Sequence, residues 1–266
     1  MDNQNLNFNS DVIPDNQEVF IPGGQSLRGV EGVEWIGQAW SLVKNKLGMW
    51  ILLSSIYLAI IAIPQFIPFL SIFAEILRPV FLGGIIAVCE KQRTTGEFKL
   101  SLLFNGFQKN FASLLGVGIL SFSIMLLSAI AMLIIGGNAM IHILSAAQYG
   151  EFSAGMLEHN LPALLLGVFT LIIFSFITTA LTWFAPALII IHNLKLGAAV
   201  SMSLEAVKKN LLPGFLFFNI IGVIFTISII TLGLGIFVAI PIFLVSYYSS
   251  YRSIFISEEK SSTLLV

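Results

Sequence analysis

From position 48 onward, apolar runs of span length alternate with short polar connections. Roughly 20 apolar residues suffice to cross the hydrocarbon layer of a bilayer. The pattern predicts six transmembrane helices, over about 48–66, 70–88, 112–135, 162–191, 212–230 and 235–254. The last two are parted only by "TLGLG", where Gly233 and Gly235 permit a tight turn. A single helix over 212–250 would run roughly 58 Å, about twice the hydrocarbon thickness. Two spans are therefore predicted there.

Before each predicted hairpin lies an amphipathic run with apolar positions at the spacing of one helical face. The first carries Ile36, Ala39, Trp40, Val43 and Leu47. The second carries Leu100, Leu103, Phe104, Phe107 and Phe111, and the third Val200, Leu204, Val207 and Leu211. Each ends in a basic stretch: "VKNKL", "FQKNF" and "VKKNL". A proline landmark recurs as well, in "RPVFLGG" at Pro79, "APALIII" at Pro186 and "IPIFLVS" at Pro241. Together these predict an internal repeat with copies 33–93, 99–195 and 197–255. The fold class expected is an all-α polytopic membrane protein. Its six transmembrane helices form three hairpins, each preceded by a cytoplasmic interfacial amphipathic helix. Residues 31–256 make one transmembrane domain. Residues 1–30 are expected to be a disordered polar cytoplasmic tail and 257–266 a short cytoplasmic tail. The N-terminus has neither a basic start nor an apolar core, which argues against a secretory signal peptide.

Composition and charge agree with the pattern. Hydrophobic residues are 57% of the chain and charged residues 10%, against about 25% charged in soluble domains. Membrane lipids are therefore the first expected partner, with another membrane protein or a second copy of the chain as further ones. The net charge of −1 argues against a nucleic-acid partner. The single cysteine, Cys89, excludes an internal disulfide. Lys44 and Lys46 precede the first span; Lys91, Arg93, Lys99 and Lys109 lie between the second and third. Lys195, Lys208 and Lys209 lie between the fourth and fifth, and Lys260 follows the sixth. The opposite connections, "QFIPF", "GGNAMIHILSAAQYGEFSAGMLEHN" and "TLGLG", hold no lysine or arginine. Since Lys/Arg bias sets orientation, both termini are expected in the cytoplasm.

Charges inside a span are costly and mark functional sites by default. Glu75 and Arg78, in "AEILRPV", are the pair in question, and their i,i+3 spacing lets them neutralise each other. Pro79, Pro186 and Pro241 are candidate kinks, each freeing a carbonyl that neighbours must satisfy. Trp35, Trp40, Lys44, Lys46, Lys109, Lys208 and Lys209 are candidate contacts to the lipid surface, with Trp50 a further anchor at the headgroup level. Gly83, Gly84, Ala87, Ser246, Ser250 and Ser253 are expected to let helices approach closely. Whether the serine stripe meets a helix or lines a cavity stays open. His142, Glu151, Glu158 and His159 match no zinc spacing. "GGIIAVCEKQRTTG" lacks the GK[ST] ending of a phosphate loop. The reading is thus of no enzyme, with no catalytic, cofactor or metal residue.

"GVEWIGQAWSLVKNKLGMW", "LRPVFLGGIIAVCEKQRTTGEF", "LSLLFNGFQKN", "FAPALI" and "YYSSYRSIF" occur in an order that resembles a family of uncharacterised bacterial six-helix inner-membrane proteins. The resemblance covers about residues 30–255. More remotely, the basic amphipathic helix before each hairpin is similar to the membrane domain of glycerophosphodiester phosphodiesterases, without their catalytic metal-binding domain. The resemblance implies the bacterial inner (cytoplasmic) membrane and brings no catalytic residues. The function expected is envelope organisation, lipid contact or membrane-complex assembly. The alternative is a small transporter or channel with a polar cavity between the hairpins.

Overall fold

The computed structural model describes residues 18–67, 69–151 and 153–258. In chain order the elements are strand β1 (Glu18–Phe20) and helices α1 (Glu31–Lys44), α2 (Leu47–Ala62) and α3 (Leu70–Thr95). A 3-10 turn (Leu100–Phe104) leads into α4 (Asn105–Gln108), α5 (Phe111–Tyr149), α6 (Ala154–Thr182) and α7 (Ala185–His192). Helices α8 (Leu196–Lys209), α9 (Leu211–Ile230) and α10 (Ile236–Phe255), then strand β2 (Ile256–Glu258), complete the chain. Among the described residues, five stretches are long and apolar enough to cross a membrane: Leu47–Phe66, Leu70–Thr95, Phe111–Tyr149, Ala154–His192 and Leu211–Ile230. The protein is an all-α, multi-pass membrane protein.

The sixth predicted span, α10, is helical over 20 residues, but its second half carries Ser246, Tyr247, Tyr248, Ser249, Ser250, Tyr251 and Arg252. These residues face protein. Ser246, Ser250 and Tyr251 are fully buried, and α10 packs on α1, α2, α3 and α9. Ser250 Oγ accepts a 3.3 Å hydrogen bond from Trp183 Nε1, and Ser246 Oγ donates back to Ile242 O. Ser246 and Ser250 therefore meet neighbouring helices, whereas Ser253, at the end of the stripe, lines a cavity. Helix α3 packs as closely. A Cβ at Gly84 would overlap the Leu103 carbonyl oxygen, so the chain after α3 lies directly on the helix backbone there.

Several sequence expectations are corrected. The outer loop predicted over 136–160 is mostly helix: α5 runs 39 residues to Tyr149, and α6 starts at Ala154. Ser153 caps α6 by accepting from Met156 N at 3.3 Å. At 1.5 Å per residue α5 is about 58 Å long and must project well beyond a bilayer core. The middle amphipathic run is not one helix. It breaks into the 3-10 turn and the single turn α4, which lets Phe104 and Phe107 both meet Phe81 edge-on while Phe111 stacks on Phe107.

The chain from Glu18 to Val30, expected to be disordered, is ordered. Strands β1 and β2 pair antiparallel, Phe20 opposite Ile256, so the expected C-terminal tail also contributes a strand. Asn210 fastens the segment, accepting from Leu27 N at 2.8 Å and donating to Gln25 O at 2.9 Å. Lys209 Nζ donates to the carbonyls of Gly23 and Gly24 at 3.2 and 3.1 Å. Residues 1–17 and Lys260 lie outside the described residues.

Candidate intramembrane binding site

A cavity of about 630 Å³ opens between α3, α5, α6, α9 and α10, roofed by the α6–α7 break. Glu75, Arg78 and Pro79 of α3 form one wall. Helix α6 supplies Ser175, Thr178, Thr179 and Thr182, and α5 supplies Ser121 and Ser128. From Leu171 to Thr182 the cavity follows α6 for about 17 Å, more than half of a hydrocarbon core of about 30 Å.

Each wall has a physical reason. Glu75 Oε1 accepts from Arg78 Nη2 at 2.6 Å, one helical turn apart, and the two side chains remain 26% and 46% exposed. The pair neutralises itself without being sealed off, so either group can meet a ligand. The hydroxyls fit an apolar helix because they donate to their own preceding turn: Thr178 to Phe174 O, Thr182 to Thr178 O and Ser121 to Val117 O. Their oxygens still hold free lone pairs toward the cavity. Between the polar stripes stand Phe122, Met125, Phe174 and Phe243, so the lining is amphipathic. Such a surface suits a molecule with a long apolar part and a polar end.

The α6–α7 break follows from Pro186, in the first turn of α7. Ser203 of α8, fully buried, bridges the break by donating to Ala180 O at 3.0 Å and accepting from Phe184 N at 3.1 Å. This satisfies backbone groups that would otherwise be orphaned. Trp183, at the break, stacks on Tyr247 of α10 with ring centroids 3.8 Å apart. Pro79 lies inside α3 and Pro241 inside α10, both buried. Of the three prolines, Pro79 and Pro186 line the cavity.

The lipid-surface candidates divide. Trp40, Lys44, Lys46, Lys109 and Lys208 are exposed. Trp35 is not: it is 2% exposed and lies against Phe217. Trp50 is fully buried and donates Nε1 to Gln92 Oε1 at 2.9 Å, while Gln92 Nε2 donates to Leu42 O at 2.8 Å. Lys209 is exposed yet engaged, with Glu205 at 2.7 Å and the two glycine carbonyls. Aromatic rings and basic termini at a span entrance look alike in sequence whether they meet lipid or protein. His142, Glu151, Glu158 and His159 are all exposed and converge on no group of three ligands among the described residues.

Sequence reasoning missed a charged cluster at the opposite end of α3. Arg93 donates to Glu18 at 2.8 and 3.2 Å, to Glu90 at 2.7 Å and to Tyr248 Oη at 2.7 Å. Arg252 grips the same Glu18 carboxylate with two bonds of 3.0 and 2.8 Å. The Arg252 hydrogen bond holds the Glu18 carboxyl below its usual range. A polar cavity of about 820 Å³ lies beside the cluster, with Lys46, Gln38 and Ser253 on its walls. Residues 18, 93 and 252 are far apart in the chain, and no local spacing announces them. No family model, curated protein or solved structure matches the chain.

Proposed function

We propose that this protein is a six-helix integral membrane protein that holds a lipid-class amphiphile in the cavity between α3, α5, α6 and α10. Its role on this reading is lipid contact in the organisation of the envelope of a bacterial inner membrane, without a reaction of its own. One observation carries it: the Glu75–Arg78 pair stands at one wall of an amphipathic cavity that follows α6 for about 17 Å. An acyl chain fits the apolar lining, and a charged or zwitterionic head can exchange contacts with the ion pair.

The distribution of lysine and arginine supports α10 as a sixth crossing with both termini in the cytoplasm. The resemblance of "LRPVFLGGIIAVCEKQRTTGEF" and "YYSSYRSIF" to bacterial inner-membrane proteins supports the location. Three repeats remain part of the proposal, supported by the recurring prolines and basic stretches. The transporter reading is favoured by the hydroxyl-lined path along α6. It differs in requiring release of the ligand on both sides.

The test is photocrosslinking in phosphatidylglycerol nanodiscs with a phosphatidylglycerol carrying a diazirine in its acyl chain. Crosslinks are expected at the cavity-lining residues Ser121, Ser128, Thr178 and Thr182, beyond those that bulk lipid leaves on the exposed faces of α5 and α6. Thr178→Leu, which fills the cavity, and Arg78→Gln should each reduce them at least fivefold in folded protein. Crosslinks unchanged by both substitutions would contradict the proposal. Flux of the same lipid across proteoliposomes, lost in Arg78→Gln, would favour the transporter reading over a holding role.

A further inference from the structure

The geometry points to a phosphate-binding site at the Arg93/Arg252 pair, which the Glu18 carboxylate occupies as an internal stand-in for the ligand. It is separate from the cavity at Glu75 and Arg78 and does not depend on it.

Two guanidinium groups from different helices converge on one carboxylate. Arg252 meets it with a two-bond fork and Arg93 adds two more bonds, so Glu18 accepts four charge-assisted hydrogen bonds. Without Glu18 the two cations would face each other with one carboxylate, Glu90, on the Arg93 side. The two cations repel each other, and an anion between them turns that repulsion into net attraction. The donor pattern, two planar forks on a pair of oxygens, is the one that recognises carboxylate and phosphate oxygens alike.

The receptor side is held by two long helices and the occupant by a short strand. Arg93 is fixed by Glu90 Oε1 at 2.7 Å, and Glu90 Oε2 in turn accepts from Tyr248 Oη at 2.6 Å. Both arginines stand on helix ends, at the last turns of α3 and α10. Glu18 instead opens a three-residue strand, paired among the described residues with another three-residue strand, and its side chain is 35% exposed. The strand's inner anchor is independent of it. Phe20 packs on the tilted His192 ring with centroids 3.8 Å apart, and Ile21 N donates to Phe255 O at 2.8 Å. Glu18 can swing out while Phe20 stays docked.

Space and charge complete the site. The adjoining cavity of about 820 Å³ has room for more than a bare anion, and Lys46, Gln38 and Ser253 line it. With Glu18 in place the cluster of Arg93, Arg252, Glu90 and Glu18 is balanced, and Lys46 leaves a positive surplus. With Glu18 withdrawn the surplus grows by one, which favours a phosphate monoanion or dianion in its place. The phosphate oxyanion is the shared chemistry of a phospholipid head and of free phosphate.

Two probes separate those sources. The full chain in dodecyl maltoside is titrated calorimetrically with inorganic phosphate and with dioctanoyl phosphatidylglycerol. Glu18→Gln is expected to tighten one or both at least tenfold, and Arg252→Gln added to it should abolish the gain. Lys99→Gln, an exposed charge outside the cluster, should leave the affinities unchanged. A gain for phosphatidylglycerol alone assigns the site to a headgroup; a gain for inorganic phosphate as well assigns it to the oxyanion itself. A folded Glu18→Gln protein that binds both probes as the natural chain does overturns the proposal. So does a gain that survives Arg252→Gln. Should Glu18→Gln fail to fold, Arg252→Gln in the natural background decides: binding must weaken at least tenfold, and unchanged binding overturns the site.

Discussion

Helices α3 and α5 line the same cavity, yet they meet their surroundings in opposite ways. Of the most apolar stretch of α3, 61% is buried inside the protein; of that in α5, 11% is. The more apolar helix is the less buried one. In water the hydrophobic effect would drive such a helix inward, but lipid tails are as apolar as leucine and remove that drive. Hydropathy along this chain therefore reports contact with lipid, and close packing is reported by small and polar residues instead. Gly84 against the Leu103 carbonyl, and Ser250 beneath Trp183, are where the inner helices touch.

The largest effect expected from this contrast is at Gly84. Gly84→Leu forces a side chain into the backbone of the next segment and should abolish folded protein, seen as loss of the monodisperse peak in size-exclusion chromatography. A matched change on α5, Leu127→Ala at an exposed position, should leave that peak in place. Next is a pair of charges placed on α5. Ile119→Asp, on an exposed face early in the helix, should cost on the order of 3 kcal/mol of membrane insertion. Leu144→Asp, about 50 Å along the helix from Phe111 and also exposed, should insert without loss in a glycosylation-reporter assay. Equal penalties would mean that both positions sit in lipid.

Smaller is the effect at Trp50. Trp50→Phe keeps one aromatic ring but leaves buried Gln92 Oε1 unpaired, and should lower stability by about 1–3 kcal/mol. Thermal unfolding in detergent reads this directly, and a neutral result would remove that hydrogen bond from the account. The smallest effect is the pH response of the N-terminal strand. Glu18 has its carboxyl lowered from an ordinary value of 4.5, so its pairing contributes fully above that value. The contribution fades as pH falls through the lowered value, where the carboxylate gains a proton. Hydrogen exchange at Val19 and Ile21 should quicken as pH drops below 4.5, relative to α8, and should stay flat there in Glu18→Gln.

The same contrast explains what the sequence disclosed. Spans α2, α3 and α9 were legible because about twenty apolar residues between polar ends have one economical solution in a bilayer. The extra length of α5 and α6 was not. "GGNAM" has the glycines and asparagine of a loop, yet Gly136 lies close to Gly167 across the helix pair and serves packing there. At the candidate site, Glu75 and Arg78 could be paired from their spacing alone, since i,i+3 residues on a helix are neighbours. The hydroxyls of α6 could not be placed, because a threonine that donates to its own helix can face lipid, protein or cavity with equal ease. The Glu18, Arg93 and Arg252 cluster depends on contacts across most of the chain, and a single sequence holds no local trace of those.

Reaction of the protein in phosphatidylglycerol nanodiscs with a lipid-phase carbene reagent, mapped by peptide mass spectrometry, tests the central claim most directly. Dense labelling is expected along α5, α6 and α9, and protection of α3 over 83–92 and of α10 over 244–255. Labelling of the α10 segment as heavy as that of α5 would contradict it.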